Sequence, residues 1–126
     1  MPVTLHPAHT PAALAQDKRK HPATRLREAR ILQWLVADGY SAAEIAGFAQ
    51  LPEARVKESL SLLALPAEGQ QAMEDGKLRV GLALAIAQLT PANQQVMVTR
   101  WLAGGFRDDV HALRYVRTVR RDEAGL

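Results

Sequence analysis

Ser41-Ala42-Ala43-Glu44-Ile45-Ala46-Gly47-Phe48-Ala49-Gln50-Leu51-Pro52-Glu53-Ala54-Arg55-Val56-Lys57-Glu58-Ser59-Leu60-Ser61-Leu62-Leu63-Ala64-Leu65 is the stretch on which the fold turns. Ser41 and Glu44 have capping-box spacing: the serine oxygen accepts from the third amide of a helix, and the carboxylate accepts in return from the serine amide. A short helix over 42–49 follows, with Ile45 and Phe48 facing inward and Ala46 and Ala49 small enough to let a second helix approach. Pro52 suits the first turn of that second helix, where its missing amide hydrogen would have had no partner. This helix runs over 52–64. Val56, Leu60 and Leu63 recur at i, i+4 and i+7 and form one apolar stripe. Leu62 and Leu65 lie off that stripe, so a later part of the chain must cover the helix from a second side.

Outward from this pair the pattern stays helical. Thr24 is placed to cap a helix over 25–37 whose apolar side is Leu26, Ile31, Leu32, Leu35 and Val36, with Gly39 just past its end. Pro66 opens a helix over 66–74 closed by Gly76. Val80 to Leu89 is almost wholly apolar and predicts the most buried element. Thr90-Pro91 starts a sixth helix ending at Gly104-Gly105, and Asp108 or Asp109 caps a seventh with Val110, Leu113, Val116 and Val119 on one face and Arg114, Arg117, Arg120 and Arg121 around it. No segment alternates like a strand. The expected fold is all-α, a multi-helix bundle, with a flexible basic arm over 1–23, a helical domain over 24–105 and a C-terminal amphipathic helix over 106–126.

Composition narrows the function. The 126 residues suit one core, and the absence of cysteine removes disulfides, thiol nucleophiles and thiolate zinc sites. No apolar run reaches the roughly 18 residues of a membrane span, and the opening Met1-Pro2-Val3-Thr4-Leu5-His6-Pro7 lacks the order of a signal peptide. A cytoplasmic protein without membrane contact is expected. The net charge is +3, unevenly spread: residues 1–30 hold six Lys/Arg against two acids, residues 31–105 five against seven, and residues 106–126 five against four. The arm carries Lys18-Arg19-Lys20 among four prolines and three histidines.

Two short helices joined by a tight turn have the helix-turn-helix geometry that sets one helix in the DNA major groove. The face opposite Val56, Leu60 and Leu63 carries Ala54, Lys57, Glu58 and Ser61, flanked by Glu53 and Arg55. Those side chains would meet base edges and phosphates. Any helical bundle contains such a pair, however, and Glu53, Arg55, Lys57 and Glu58 sum to zero charge, so phosphate neutralisation must come mainly from Lys18, Arg19, Lys20, Arg25, Arg27 and Arg30, or from Lys77 and Arg79.

Glu28-Ala29-Arg30, then Ser41-Ala42-Ala43-Glu44-Ile45-Ala46, then VKESLSLLAL over 56–65 (Val56 to Leu65), Pro66, and Gly76-Lys77-Leu78 with Gly81 following, resemble the helix-turn-helix domain of ParB-type and KorB-type plasmid and chromosome partition proteins. The resemblance covers about residues 26–89. It implies sequence-specific binding of double-stranded DNA, with the second helix in the major groove and the region of Lys77 and Arg79 setting register. Departures mark the DNA-facing positions. Gln50 stands where the family usually has a turn glycine, Pro52 where it has a capping serine or threonine, and Glu53 and Ala54 where basic or hydroxyl residues are usual. Arg79, Leu82 and Leu84 replace the serine, histidine and arginine of the usual "GKLSxGHARAL" stretch. Partition proteins of this type carry an N-terminal nucleotide-binding domain; with only 23 residues before the first helix, nucleotide binding is not expected, nor is any other cofactor.

Nothing in the chain assembles an enzyme. His6 and His9 lack a third metal ligand, the pairs Glu74-Asp75, Asp108-Asp109 and Asp122-Glu123 diverge by about 100° on a helix, and Ser41, Ser59 and Ser61 have no activating histidine nearby. Trp34 and Trp101 are expected as core or core-edge anchors and His111 as a surface residue. The valine-leucine stripe of the last helix has two readings, packing on the domain or pairing with its mate in a homodimer. The leading expectation is a sequence-specific DNA-binding protein, a transcriptional regulator or partition accessory of a mobile element. The alternative is a protein-interaction module, an antagonist or adaptor that keeps the fold without DNA; an RNA-binding domain rests on the basic ends alone.

Overall fold

The computed structural model describes residues 21–125, and among them the chain forms seven α-helices and no strand. They are α1 (Pro22–Ala37), α2 (Ala42–Ala49), α3 (Glu53–Ser61) followed by a 3-10 turn (Leu62–Ala64), α4 (Ala67–Glu74), α5 (Val80–Ala87), α6 (Pro91–Leu102) and α7 (Asp109–Glu123). Residues 1–20 of the expected arm, with Lys18, Arg19, Lys20, His6 and His9, lie outside the described residues, and its last three, 21–23, form the cap and first turn of α1.

Two of the caps read from sequence are in place. Ser41 Oγ accepts from the Glu44 amide and Glu44 Oε1 from the Ser41 amide, both at 3.1 Å, and the Asp108 carboxylate accepts from the His111 amide at 2.8 Å. Helix α1 corrects a third. It begins at Pro22, capped by His21, whose Nδ1 accepts from the Ala23 amide at 3.1 Å, while Thr24 is buried inside the first turn. The glycines end helices as expected, with φ of 99° at Gly39, 74° at Gly76 and 75° at Gly104.

Two hydrophobic clusters divide the interior. The larger one gathers Leu26 of α1, Leu62 and Leu65 after α3, Met73, Leu78, Leu82, Ile86, Met97, Val98, Phe106 and Val116. Leu62 and Leu65 thus receive the second cover that their position demanded, from α5 among others. The smaller cluster holds Leu32, Leu35, Ile45, Ala46 and Val56, where α1, α2 and α3 meet. Helix α1 belongs to both, so the α2–α3 unit is fastened to the rest by one continuous rod, and each fully buried leucine in it contributes about 1.5–3 kcal/mol.

Some stripes differ in detail from the periodicity. Val56 is fully buried, but Ser59 shares its depth while Leu60 and Leu63 are only half-buried. On α7, Ala112 and Val116 form the buried line and Leu113 and Val119 pack beside it, whereas Val110 is exposed. Trp34 is no core anchor: it is 62% exposed, and Val36 beside it faces outward too. Trp101 is a core-edge anchor as expected, with its Nε1 donating to the Lys77 carbonyl at 2.8 Å.

Two glutamines close the ends of the segments that precede their helices. Gln94, buried, donates to the carbonyls of Ala87 and Leu89 at 3.1 and 2.9 Å, and Gln70 does the same to Leu63 and Leu65 at 3.3 and 3.1 Å. In both cases a glutamine one turn into a helix closes the carbonyls left open by the preceding segment. The shared spacing, a leucine followed five residues later by a glutamine with a proline between, was visible in the sequence.

Candidate nucleic-acid interface

Helices α2 and α3 pack around Ile45, Ala46 and Val56, joined by Gln50-Leu51-Pro52. Gln50 sits in the left-handed region at φ 56°, ψ 43°, the one non-glycine among the described residues with positive φ. The turn at this position therefore asks for glycine, although the chain supplies glutamine. Pro52 is the N-cap of α3, extended at φ −61°, ψ 144°, and brings no side-chain bond to the helix.

The outward face of α3 carries Ala54, Lys57 and Glu58, all exposed, and half-buried Ser61. Glu53, on the flank, lies 3.3 Å from the Lys57 ammonium one turn on. Such an exposed pair is worth about half a kcal/mol, so the Lys57 head group is readily released. Ser61 Oγ donates back to the Glu58 carbonyl.

Arg55 is held differently. Its Nη2 donates to Glu28 Oε2 of α1 at 2.9 Å, and Arg25 Nε sits 3.1 Å from the same oxygen and donates to Ser59 Oγ at 2.8 Å. Arg25 also approaches Glu58 at 3.6 Å. One buried carboxylate thus serves two guanidinium groups, and Arg25 Nη2 and Arg55 Nε are left buried without a hydrogen-bond partner. Burial, then the like charge of Arg55, lower the pKa of Arg25, against the opposing pull of Glu28 and Glu58. The α1–α3 junction is therefore a polar clasp between the two apolar clusters. This also explains Ser59: its hydroxyl is buried because a buried arginine needs an acceptor there.

Arg79 is the N-cap residue of α5, 80% exposed, and its guanidinium lies 3.5 Å from the Asp109 carboxylate. Lys77 is exposed on the loop before it, whose carbonyl is pinned by Trp101. Neither residue lines the open groove of about 410 Å³ that runs along α3. That groove is bounded by Lys57, Glu58 and Ser61 of α3, Leu84 and Ala85 of α5, neighbouring Gln88, and Arg120 of α7. In sequence Arg120 is one of the arginines beside the stripe of the last helix, where a phosphate contact is open to it; its place opposite Lys57 exists only once the helices are packed.

A family model described as the ParB HTH domain matches residues 23–105. The chain belongs to the ParB HTH-domain family. Among solved structures, it is similar to the crystal structure of the DNA-binding domain of the chromosome-partitioning protein ParB complexed to the centromeric parS site. The TM-score is 0.70 and the identity 22%, over 98% of this chain and 85% of that one. At that identity the likeness is one of fold. No curated protein matches the chain. Within this ParB HTH domain, no helix among the described residues is long and apolar enough to cross a membrane, and no three histidine or carboxylate side chains gather as they would around a metal ion.

Proposed function

We propose that this ParB HTH domain binds double-stranded DNA sequence-specifically by laying α3 in the major groove, and that it serves a partition-related or transcriptional role on a mobile element. The observation that carries the reading is the two-sided character of α3. Val56 and Ser59 are sealed against α1 while Ala54, Lys57 and Glu58 stand in solvent. Lys57 is suited to guanine acceptors, Glu58 to the cytosine amino group, and Ser61 to either. Arg55, Glu53 and Ala54 border this row. Lys77, Arg79 and the arm residues Lys18, Arg19 and Lys20 supply phosphate contacts that set position. The action is binding alone, with no bond made or broken. The ParB domain that shares its fold was crystallised on parS, a DNA site, which agrees with this reading.

A second reading, capture of a protein partner, is favoured by the pairing of both cations of α3 with acids, Lys57 with Glu53 and Arg55 with Glu28. Anisotropy titrations of a labelled duplex at several salt concentrations separate the two. Neutralising about four phosphates gives a log-log slope near −3.6 or steeper. A flat salt response, or no preference for duplex over heparin, would remove DNA from the account and leave the protein partner.

A further inference from the structure

The last helix carries more positive charge on one flank than its role as a packing element requires. Projected around α7, Arg114, Arg117, Arg120 and Arg121 fall within a sector of about 120° beside the buried line of Ala112 and Val116. No acid of α7 shares that sector. Asp109 is engaged by Arg79, Asp122 projects to the opposite side, and the Glu123 carboxylate is taken by Thr90 and Asn93 at the start of α6. The innermost member of the sector, Arg120, forms one wall of the groove whose other wall is Lys57, Glu58 and Ser61 of α3, over a floor of Leu84 and Ala85, and the one carboxylate of that lining, Glu58, faces the Arg25 guanidinium at 3.6 Å.

From this juxtaposition we infer that the α3–α7 groove and the arginine flank beyond it form a track for the phosphodiester backbone of the same duplex whose major groove receives α3. The chemistry fits that occupant. A deoxyribose-phosphate strand offers an apolar sugar edge to Leu84 and Ala85 and a line of anions to Arg120, Arg117, Arg121 and Arg114. Exposed guanidinium groups bind phosphate oxygens in pairs. The arginine wall reads no base, because its guanidinium groups stand outside the face of α3, whereas Lys57, Glu58 and Ser61 on the opposite wall keep the bases. It adds affinity uniformly over sequences and makes up for the zero net charge of α3, where Glu53 and Glu58 cancel Arg55 and Lys57. The inference rests on the proposed DNA binding and extends it to a helix beyond residues 23–105, the part of the chain that the family model matches.

The triple variant Arg117→Gln/Arg120→Gln/Arg121→Gln tests it in the full chain, with circular dichroism verifying that the helices remain. The buried line of α7 is untouched, so folding is retained. Two probes are titrated, a pool of random-sequence duplexes and a duplex enriched from that pool by the wild-type protein. Loss of three phosphate contacts should reduce the log-log salt slope by about 2.7 and weaken both probes by the same factor, on the order of tens-fold at moderate salt. A slope and affinity equal to wild type, in a wild-type protein that binds both probes, would overturn the track while leaving the role of α3 intact. Weakening of the enriched duplex alone would overturn it in favour of base reading by these arginines. A wild-type protein that binds neither probe would overturn the track and the DNA reading together.

Discussion

Arg55 Nη2 on α3 lies 2.9 Å from Glu28 Oε2 on α1, so its guanidinium holds its own helix in place. Glu28 is buried and Arg25 approaches it from the other side at 3.1 Å. The clasp sets the angle and rotation of α3 relative to the rod that joins both apolar clusters. A one-residue rotation of α3 would swing Lys57 about 100° away from the exposed face, so register here bears directly on which side chains reach a ligand.

Replacing Glu28 with Gln leaves two arginines beside a buried neutral group. Removing one side of a buried ion pair costs about 3–5 kcal/mol, and the partial exposure of Arg55 brings the expected loss down to roughly 2–3 kcal/mol. Arg55→Ala costs less, because Arg25 still neutralises Glu28. Urea denaturation of the two variants gives the order directly; a smaller midpoint shift for Glu28→Gln than for Arg55→Ala would contradict the clasp.

Gln50→Gly should stabilise the protein. At φ 56° and ψ 43° a side chain crowds its own backbone, at a cost of about 1–2 kcal/mol that glycine avoids, offset in part by the greater freedom of glycine in the unfolded chain. A net gain near 0.5–1 kcal/mol corresponds to a melting temperature higher by a few degrees. Unchanged or lowered melting would show that Gln50 makes up for its strain through contacts of its side chain.

That position also shows what the sequence could disclose. Glycine in the turn is the family habit, and Gln50 was legible as a departure, but its left-handed backbone was not, because nothing local distinguishes a strained glutamine from an extended one. Signals confined to a few neighbouring residues, such as the Ser41–Glu44 box, the Asp108 cap and the helix-ending glycines, read correctly. Thr24 misled because it is a good capping residue next to Pro22-Ala23, yet proline at the first helical position moves the start back to His21. Trp34 and Val110 misled because size and hydrophobicity do not say which side of a helix is covered. The clasp of Arg25, Glu28, Arg55 and Ser59 spans about thirty residues of chain, and the groove wall at Arg120 about sixty from Lys57; such pairings exist only once the helices are packed.

Acid should loosen the attachment of α7. The Glu123 carboxylate accepts from Asn93 Nδ2 at 2.5 Å and from the Thr90 amide and hydroxyl at 3.1 Å. These bonds, the Asn93 one foremost, followed by the charge of Arg120, hold its pKa below the ordinary value of 4.5. A carboxylate lowered on folding contributes stability above its unfolded pKa and loses it as pH falls through the folded value. Wild type should thus lose stability below about pH 4.5 faster than Glu123→Gln, the two curves converging at lower pH. Parallel thermal melts from pH 6 to pH 3 follow this, and curves that stay parallel would contradict it.

Enrichment of random duplexes on the purified full chain measures whether the outward face of α3 reads bases, as proposed. Wild type should yield a defined consensus, bound about a thousandfold or more tighter than scrambled DNA, and Lys57→Ala should relax one position of it at a cost of about 1–3 kcal/mol. Enrichment of no consensus, or one that Lys57→Ala leaves unchanged in sequence and affinity, would rule out base reading by α3.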